Sequence, residues 1–235
     1  MGIKLAVIGY KGIVGNATYT LMQRLGYEVM GSDNGNGTTV SDIAFVCLPE
    51  LIVIAETLSR HRTELFVIRS TVLPNTCELL QSELGVHVLH NPEFLKEASA
   101  VLDEFNPDRV VIGECCKEHG ELIASLYAPL CRPIYRTSRR VTELAKLSCN
   151  GYLATVISYW NEIEEIANKL GISGTEVGML ASTDPRVSSY GSRYHGKFGG
   201  KCLPKDTEHL ITTARNLGMN PALLKAVIKV NEDTE

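Results

Sequence analysis

The chain has 235 residues, 44% of them hydrophobic and 21% charged, with a formal net charge of −4. That is enough chain for one large domain or two small ones, each with an ordinary core. The acidic balance leaves no electrostatic footprint for nucleic acid, and neither a basic run nor an apolar stretch near the ~18 residues of a spanning helix points to a membrane. The opening "MGIKLAVIGYKG" lacks the apolar core and cleavage site of a signal peptide, and Ala6 stands where a myristoylation pattern wants Ser or Thr. The seven cysteines are an odd count without CxxC spacing, and Cys115 and Cys116 are adjacent. They read as reduced thiols of a cytoplasmic protein, not as a disulfide framework or a zinc site, and no metal is expected.

Up to about residue 137, short β-branched runs alternate with helical patterns. The predicted strands are "IKLAVIG", "YEVMGSD", "DIAFVCLP", "LFVIRST", "VHVLHN", "RVVIGE" and "PIYRT". Near-continuous apolar strands separated by helices predict a parallel sheet covered on both faces. "VIGYKGIVG" follows the first strand and opens a helix, the context of a dinucleotide-binding turn. Gly9, Gly12 and Gly15 give G-x-x-G-x-x-G, looser than the usual pattern because position 10 is Tyr. Gly12 lets the backbone approach a pyrophosphate, and Gly9, Ile13, Val14 and Gly15 complete the turn and the helix N-terminus, with its unpaired N–H groups. Asp33 ends the second strand, the place for a carboxylate that binds an adenosine ribose. NAD is the cofactor implied, on a Rossmann-like domain.

Between Asp33 and the next strand lies only "NGNGTTVS", too short for the ~10–12 residues of a helical crossover. The sheet is therefore expected to lack one edge strand and its helix. From Ser138 to Leu170 no proline intervenes and only Gly151 interrupts. Ala154, Ile157, Trp160, Ile163, Ile166 and Leu170 recur at spacings of three and four, as one buried helical face would. Two or three further helices follow, with a glycine-rich loop from Asp184 to Leu203. The expected division is an α/β domain over residues 1–137 and a helical domain over 138–235.

Three polar pairs share a four-residue offset: Glu93/Glu97 in "NPEFLKEAS", Lys146/Asn150 in "KLSCN" and Cys202/Asp206 in "KCLPKD". On a helix that offset puts both side chains on one face. Together they supply a thiol, carboxylates, an ammonium and an amide, a kit for oxidising an alcohol through a thioester.

"IRSTVLPNT", "NPEFLKEASAVLDEFNPDRVVIG", "ELAKLSCNGYLA" and "FGGKCLPKD" resemble, in this order, signatures of the UDP-glucose/GDP-mannose dehydrogenase family, and the likeness covers essentially the whole chain. The resemblance implies a two-step, four-electron oxidation of a nucleotide sugar's primary alcohol to a carboxylate, with two NAD molecules reduced in turn. It makes Cys202 the nucleophile, and Lys146 and Asn150 the groups that steady the alkoxide and the sugar hydroxyls. Asp206 becomes the handler of protons and water. Thr71 and Glu97 fall beside the nicotinamide and the reacting alcohol, and Glu93 is a nearby carboxylate. Phe94, Leu95, Lys96 and Glu97 form a substrate-contacting segment, and Lys205 a cofactor contact. Gly191, Ser192, Arg193, Tyr194 and His195, with Gly199, form a loop over the sugar. Arg186 resembles an arginine lent to a neighbour's active site, which implies a homodimer built on the long helix.

Independently of the resemblance, Pro204 suits the first turn of a helix and puts Cys202 at that helix's N-terminus. The dipole there, with Lys201 and Lys205, favours thiolate, and the other six cysteines read as structural. The chain departs from the family at Lys201, commonly a small serine, and at "LPEL" (48–51), which replaces a Pro-Thr-Pro-like turn. It stops at "NPALLKAVIKVNEDTE", inside what resembles the family's interdomain helix, so the third, nucleotide-holding domain is expected to be missing or supplied by a partner protein. Two readings follow: a compact nucleotide-sugar dehydrogenase, or a non-catalytic dinucleotide-binding, dimerising module or half of a split enzyme.

Overall fold

The computed structural model describes residues 2–33, 40–193 and 196–234. Its strands are β1 (Lys4–Ile8), β2 (Glu28–Ser32), β3 (Val40–Val46), β4 (Arg62–Ile68), β5 (His87–His90), β6 (Val110–Glu114) and β7 (Ile134–Ser138). They coincide with the seven runs picked out by composition. One sheet joins them in the order β2-β1-β3-β4-β5-β6-β7. The sheet is parallel except at one step, where β5 meets β6 antiparallel at His90 and Gly113. The expected all-parallel sheet is corrected at that junction.

Between the strands lie α1 (Ile13–Arg24), α2 (Leu51–Arg60), α3 (Thr76–Leu84), α4 (Ala100–Phe105) and α5 (Lys117–Tyr127). The two-residue period of the central strands sorts their side chains into two layers. Leu5, Val7, Phe45 and Val67 pack with Leu21 and Met22 of α1 and Ile123 and Leu126 of α5. Ala6, Ile8, Ala44, Val46, Phe66 and Ile68 pack with Ile54 and Leu58 of α2 and Cys77 and Leu80 of α3. Burial on both faces is why these strands read as unbroken apolar runs. Among the described residues β2 is outermost, paired with β1 alone and largely exposed, so the sheet there ends one strand early, as the short crossover implied. Ile8, Val46, Ile68 and His90 align across β1, β3, β4 and β5, so the loops that follow those strands gather at one edge of the sheet.

The long helix α6 runs from Arg139 to Leu170. Its first turns are tied to the sheet domain by Glu143, whose carboxylate accepts the N–H groups of Asn75 and Cys77 at 2.6 and 2.9 Å. That satisfies donors left over at the start of α3. Compact units divide inside α6, as residues 1–146 and 147–235.

The second unit holds the rest of α6 with α7 (Gly174–Ala181), α8 (Leu203–Asn216) and α9 (Ala222–Asp233). Ser173 caps α7 by accepting the N–H of Glu176, the start signal of a capping box. Ala154, Ile157, Phe198 and Val227 form its core, with Leu203 and Ile228 packed against them. Trp160 is also buried, but Ile166 and Leu170 are 55% and 69% exposed. On the last two turns of α6 the buried position passes to Ala167, so the expected apolar face fails at its end.

Candidate functional site

The glycine turn sits at the loop-bearing edge of the sheet. Gly9 has φ of +82°, a left-handed conformation, and its N–H reaches the carbonyl of Ser32 at 2.7 Å. A Cβ on Gly15 would stand 2.0 Å from the Gly9 oxygen, so that position admits only glycine. Gly12 is the N-cap of α1 and offers no side chain to the helix's leading N–H groups. Those groups are left available for an anion. Tyr10 stands where the tighter motif would have glycine, and its ring lies against Gly31 of β2, where a Cβ would come within 2.8 Å of it. Asp33 accepts Lys11 in an ion pair at 2.9 Å. The carboxylate expected from the sequence to take the ribose is thus already matched to a cation.

Beneath the neighbouring strand ends lies a buried polar network. Arg69, just after β4, donates both bonds of a fork to Glu104 of α4 at 2.6 and 2.8 Å, and donates to Asn91 at 2.6 Å and to the Tyr127 hydroxyl at 3.1 Å. Tyr127 in turn donates to Asn91, and Asn91 to the carbonyl of Val111. Burial pushes the nearby Cys47 thiol up to about 12, which makes it inert. His90 bridges Thr142 and the Ser70 carbonyl, and burial, with Arg69 and Lys146 nearby, lowers it to about 3. Thr71 follows, half-buried, in the loop after β4.

"NPEFLKEAS" does not form a single helix. Glu93 to Lys96 have no regular secondary structure, and a 3-10 turn covers only Glu97–Ser99, so Glu93 and Glu97 do not share a helical face. The proline at 92 disfavours helix at the residue before it, and the segment organises itself through side chains instead. Glu93 accepts the N–H of Leu95 at 2.7 Å and pairs with the ammonium of Lys146 at 3.2 Å. Lys146 is buried, with its Nζ 5.3 Å from the centroid of the Phe94 ring, whose face also receives Arg109 at 4.1 Å. Lys96 and Glu97 are exposed, and Lys96 donates its N–H to Asp103.

In the second unit, Asn150, one turn beyond Lys146 on α6, donates to Asp206 Oδ2 at 2.5 Å, and both residues are buried. The Lys205 ammonium lies 2.7 Å from Asp206 Oδ1 but out of line for a hydrogen bond, so that oxygen retains acceptor capacity. Cys202 is the exposed N-cap of α8, with Pro204 in the first turn, and its carbonyl accepts the N–H of Asp206 at 2.9 Å. The loop before it is held by two asparagines. Asn231 of α9 accepts the N–H of Phe198 at 2.7 Å and donates to its carbonyl at 3.0 Å. Asn161 of α6 does the same for Gly196, at 3.1 and 3.0 Å. Gly191 has φ of +79° and lies against Ile157, Ser192 is buried, and Arg193 and Gly199 are exposed. Arg186 is exposed and paired with Asp184 at 2.6 Å. Tyr194 and His195 lie outside the described residues.

Residues 42–131 match the NAD binding domain of the UDP-glucose/GDP-mannose dehydrogenase family, and residues 140–233 match its central domain. The chain belongs to that family. It is 34% identical to a UDP-glucose 6-dehydrogenase of Bacillus subtilis over 85% of this chain and 48% of that protein. A GDP-mannose 6-dehydrogenase of Pseudomonas putida is 36% identical over 81% of this chain and 46% of its own length. The chain therefore spans about half the length of the curated relatives it matches. Among solved structures, a UDP-glucose dehydrogenase from Pyrobaculum islandicum superposes with a TM-score of 0.88 at 27% identity, over 99% of this chain and 68% of that one.

Within this member of the UDP-glucose/GDP-mannose dehydrogenase family, the structure joins the sequence-picked residues in three groups. The first unit joins the glycine turn with Asp33, and separately Glu93 and Phe94 with Lys146. The second joins Asn150, Lys205 and Asp206 at the head of α8. Sequence reasoning missed Lys11, Arg69, Asn161 and Asn231. Such residues announce themselves only through their partners, and the partners of these four lie 22 to 58 residues away in the chain.

Proposed function

We propose that this chain performs NAD-dependent oxidation of the primary alcohol of a nucleotide sugar to the carboxylate, with residues 1–137 as the cofactor domain and 138–235 as the catalytic helical domain. Family membership and the two matched regions support that division. The glycine turn fits a dinucleotide, since a Cβ at Gly15 would fill it and α1 carries no side-chain cap. Gly9, Gly12, Ile13, Val14 and Gly15 would hold the pyrophosphate, Asp33 the ribose, and Thr71, Glu97 and Lys205 the nicotinamide side. When bound, NAD supplies the hydride acceptor for two successive two-electron oxidations.

The observation that carries the reading is the head of α8, where an exposed thiol precedes by one turn a buried carboxylate fixed by an amide. In this proposal the Cys202 thiolate adds to the carbonyl carbon of the intermediate aldehyde, forming a C–S bond and a thiohemiacetal. The same carbon, once oxidised, is a thioester. Asp206 takes a proton from water through Oδ1, hydroxide adds, the C–S bond breaks, and carboxylate and thiol remain. Lys146 and Asn150 donate to the oxygen as it gains charge, and Glu93 orients Lys146. Phe94, Leu95, Lys96, Glu97 and the loop of Gly191, Ser192, Arg193, Tyr194, His195 and Gly199 contact the sugar.

The same proposal includes a homodimer. Tyr152, Tyr159, Ile166 and Leu170 repeat at seven and four residues along α6 and are 53–69% exposed, a stripe suited to a second copy. Arg186, paired within its own loop with Asp184, is the residue that would serve the neighbour.

The test is cofactor reduction by the chain with UDP-glucose, GDP-mannose and related nucleotide sugars, followed by absorbance and product mass. Two reduced cofactors per acid formed, lost in Cys202→Ala, is the expected result. NAD binding without turnover on any member of the panel would replace this reading with a non-catalytic module.

A further inference from the structure

The antiparallel step in the sheet has a chemical consequence. β5 and β6 pair at His90 and Gly113. Carrying that register three residues back along β5 brings His87 opposite the Cys115–Cys116 pair that follows β6. Had β6 run parallel to β5, those cysteines would lie at the other end of the strand. His119, one turn into α5, completes the group. The Cys115 sulfur lies 3.2 Å from His119 Nδ1, and the His87 and His119 rings meet edge to face at 4.6 Å. One donor atom from each of His87, Cys115 and His119 lies within 4.8 Å of the others.

We propose that His87, Cys115 and His119 form a tetrahedral site for a zinc-class divalent cation, with water as the fourth ligand. Zinc bonds of about 2.3 Å to sulfur and 2.0–2.1 Å to nitrogen place the ligand atoms of a tetrahedron roughly 3.3–3.6 Å apart. The sulfur–nitrogen contact is already near that distance, and the exposed His87 side chain has only to turn inward. One thiolate with two imidazoles selects zinc, cobalt or copper over magnesium and calcium. Cys116 is engaged otherwise, as the N-cap of α5 accepting the N–H of His119. This site lies apart from the glycine turn, because β5 begins with His87 at the edge of the sheet opposite the one where Ile8 and His90 end their strands. Its role is to fasten the reversed strand to α5. Binding replaces the proton of the Cys115 thiol, so it releases acid.

The experiment loads the reduced, untagged full chain with Co²⁺, then with Zn²⁺ in competition. The expected result is one cobalt per chain, with tetrahedral visible bands and a thiolate charge-transfer band that zinc displaces, and a rise in unfolding temperature. Cys115→Ser should abolish the charge-transfer band. His87→Ala, at an exposed side chain whose loss leaves the core intact, should weaken binding by more than the about 10–100-fold typical of losing a mere supporting contact. Cys131→Ser should change nothing. Absence of uptake, a band that survives Cys115→Ser, or one that disappears in Cys202→Ser would each overturn the site.

Discussion

Replacing Asn231 by Ala should loosen the loop that leads to Cys202, by an amount the structure allows to be worked out. Asn231 and Phe198 are 8% and 3% exposed, so the two bonds between them are made out of water. Truncation removes both and leaves the N–H and the carbonyl of Phe198 buried without partners. Each stranded group costs its own desolvation, about 1–3 kcal/mol, so the two together give about 2–6 kcal/mol. Asn161→Ala removes the same pair of bonds from Gly196, but that residue is half-exposed and water can replace them, so the loss should stay nearer 1 kcal/mol. Trp160, the chain's one tryptophan, is buried in the same unit, so urea unfolding followed by its fluorescence reads this effect without the sheet domain. If Asn231→Ala costs less than about 0.5 kcal/mol, or no more than Asn161→Ala, the clamp does not hold the loop and the reasoning fails.

Cys202→Ala should abolish acid formation while leaving the circular dichroism unchanged; undiminished product would remove the thiol from the mechanism. Lys11→Ala should make cofactor binding less dependent on salt, since Asp33 would no longer exchange an ion pair for a ribose diol, and Asp33→Ala should lower the preference for NAD over NADP; calorimetric titration at two ionic strengths checks both. His90 is held neutral in the fold at about 3 while the unfolded chain takes its proton near 6.5, so stability must fall as pH falls through that window. The slope approaches about 1.4 kcal/mol per pH unit, or of order 3 kcal/mol between pH 7 and 4, and His90→Gln should flatten it. A denaturation midpoint equally acid-sensitive in both proteins would refute that account.

The strands were legible because burial on both faces leaves unbroken β-branched runs, and the edge strand missing among the described residues because eight residues cannot cross back as a helix. Direction was not legible at β6: its apolar run reads alike whichever way it runs. The end of α6 misled for a related reason, since Ile166 and Leu170 keep the helical spacing that an exposed stripe shares with a buried one. Glu93 and Glu97 were paired by an offset that has meaning only on a helix, and the chain there is irregular up to the 3-10 turn at Glu97. The cysteine spacing was read along the chain alone, and the approach of His87 to Cys115 comes through strand pairing, which leaves no signal in that spacing.

The Arg69 network also restricts how the protein can change. Removing Glu104 alone would leave a guanidinium, already short of a partner at its buried Nε, confined in an apolar interior at a cost of roughly 3–5 kcal/mol. Exchanging Arg69 and Glu104 together for apolar residues of similar volume could be close to neutral, but Asn91 and Tyr127 would then need new partners of their own. Single-step drift is therefore blocked at four positions drawn from two loop ends and two helices, and lineages should keep or lose them as a set. A library randomising these four sites at once should recover all-polar and all-apolar combinations, with the mixed ones depleted.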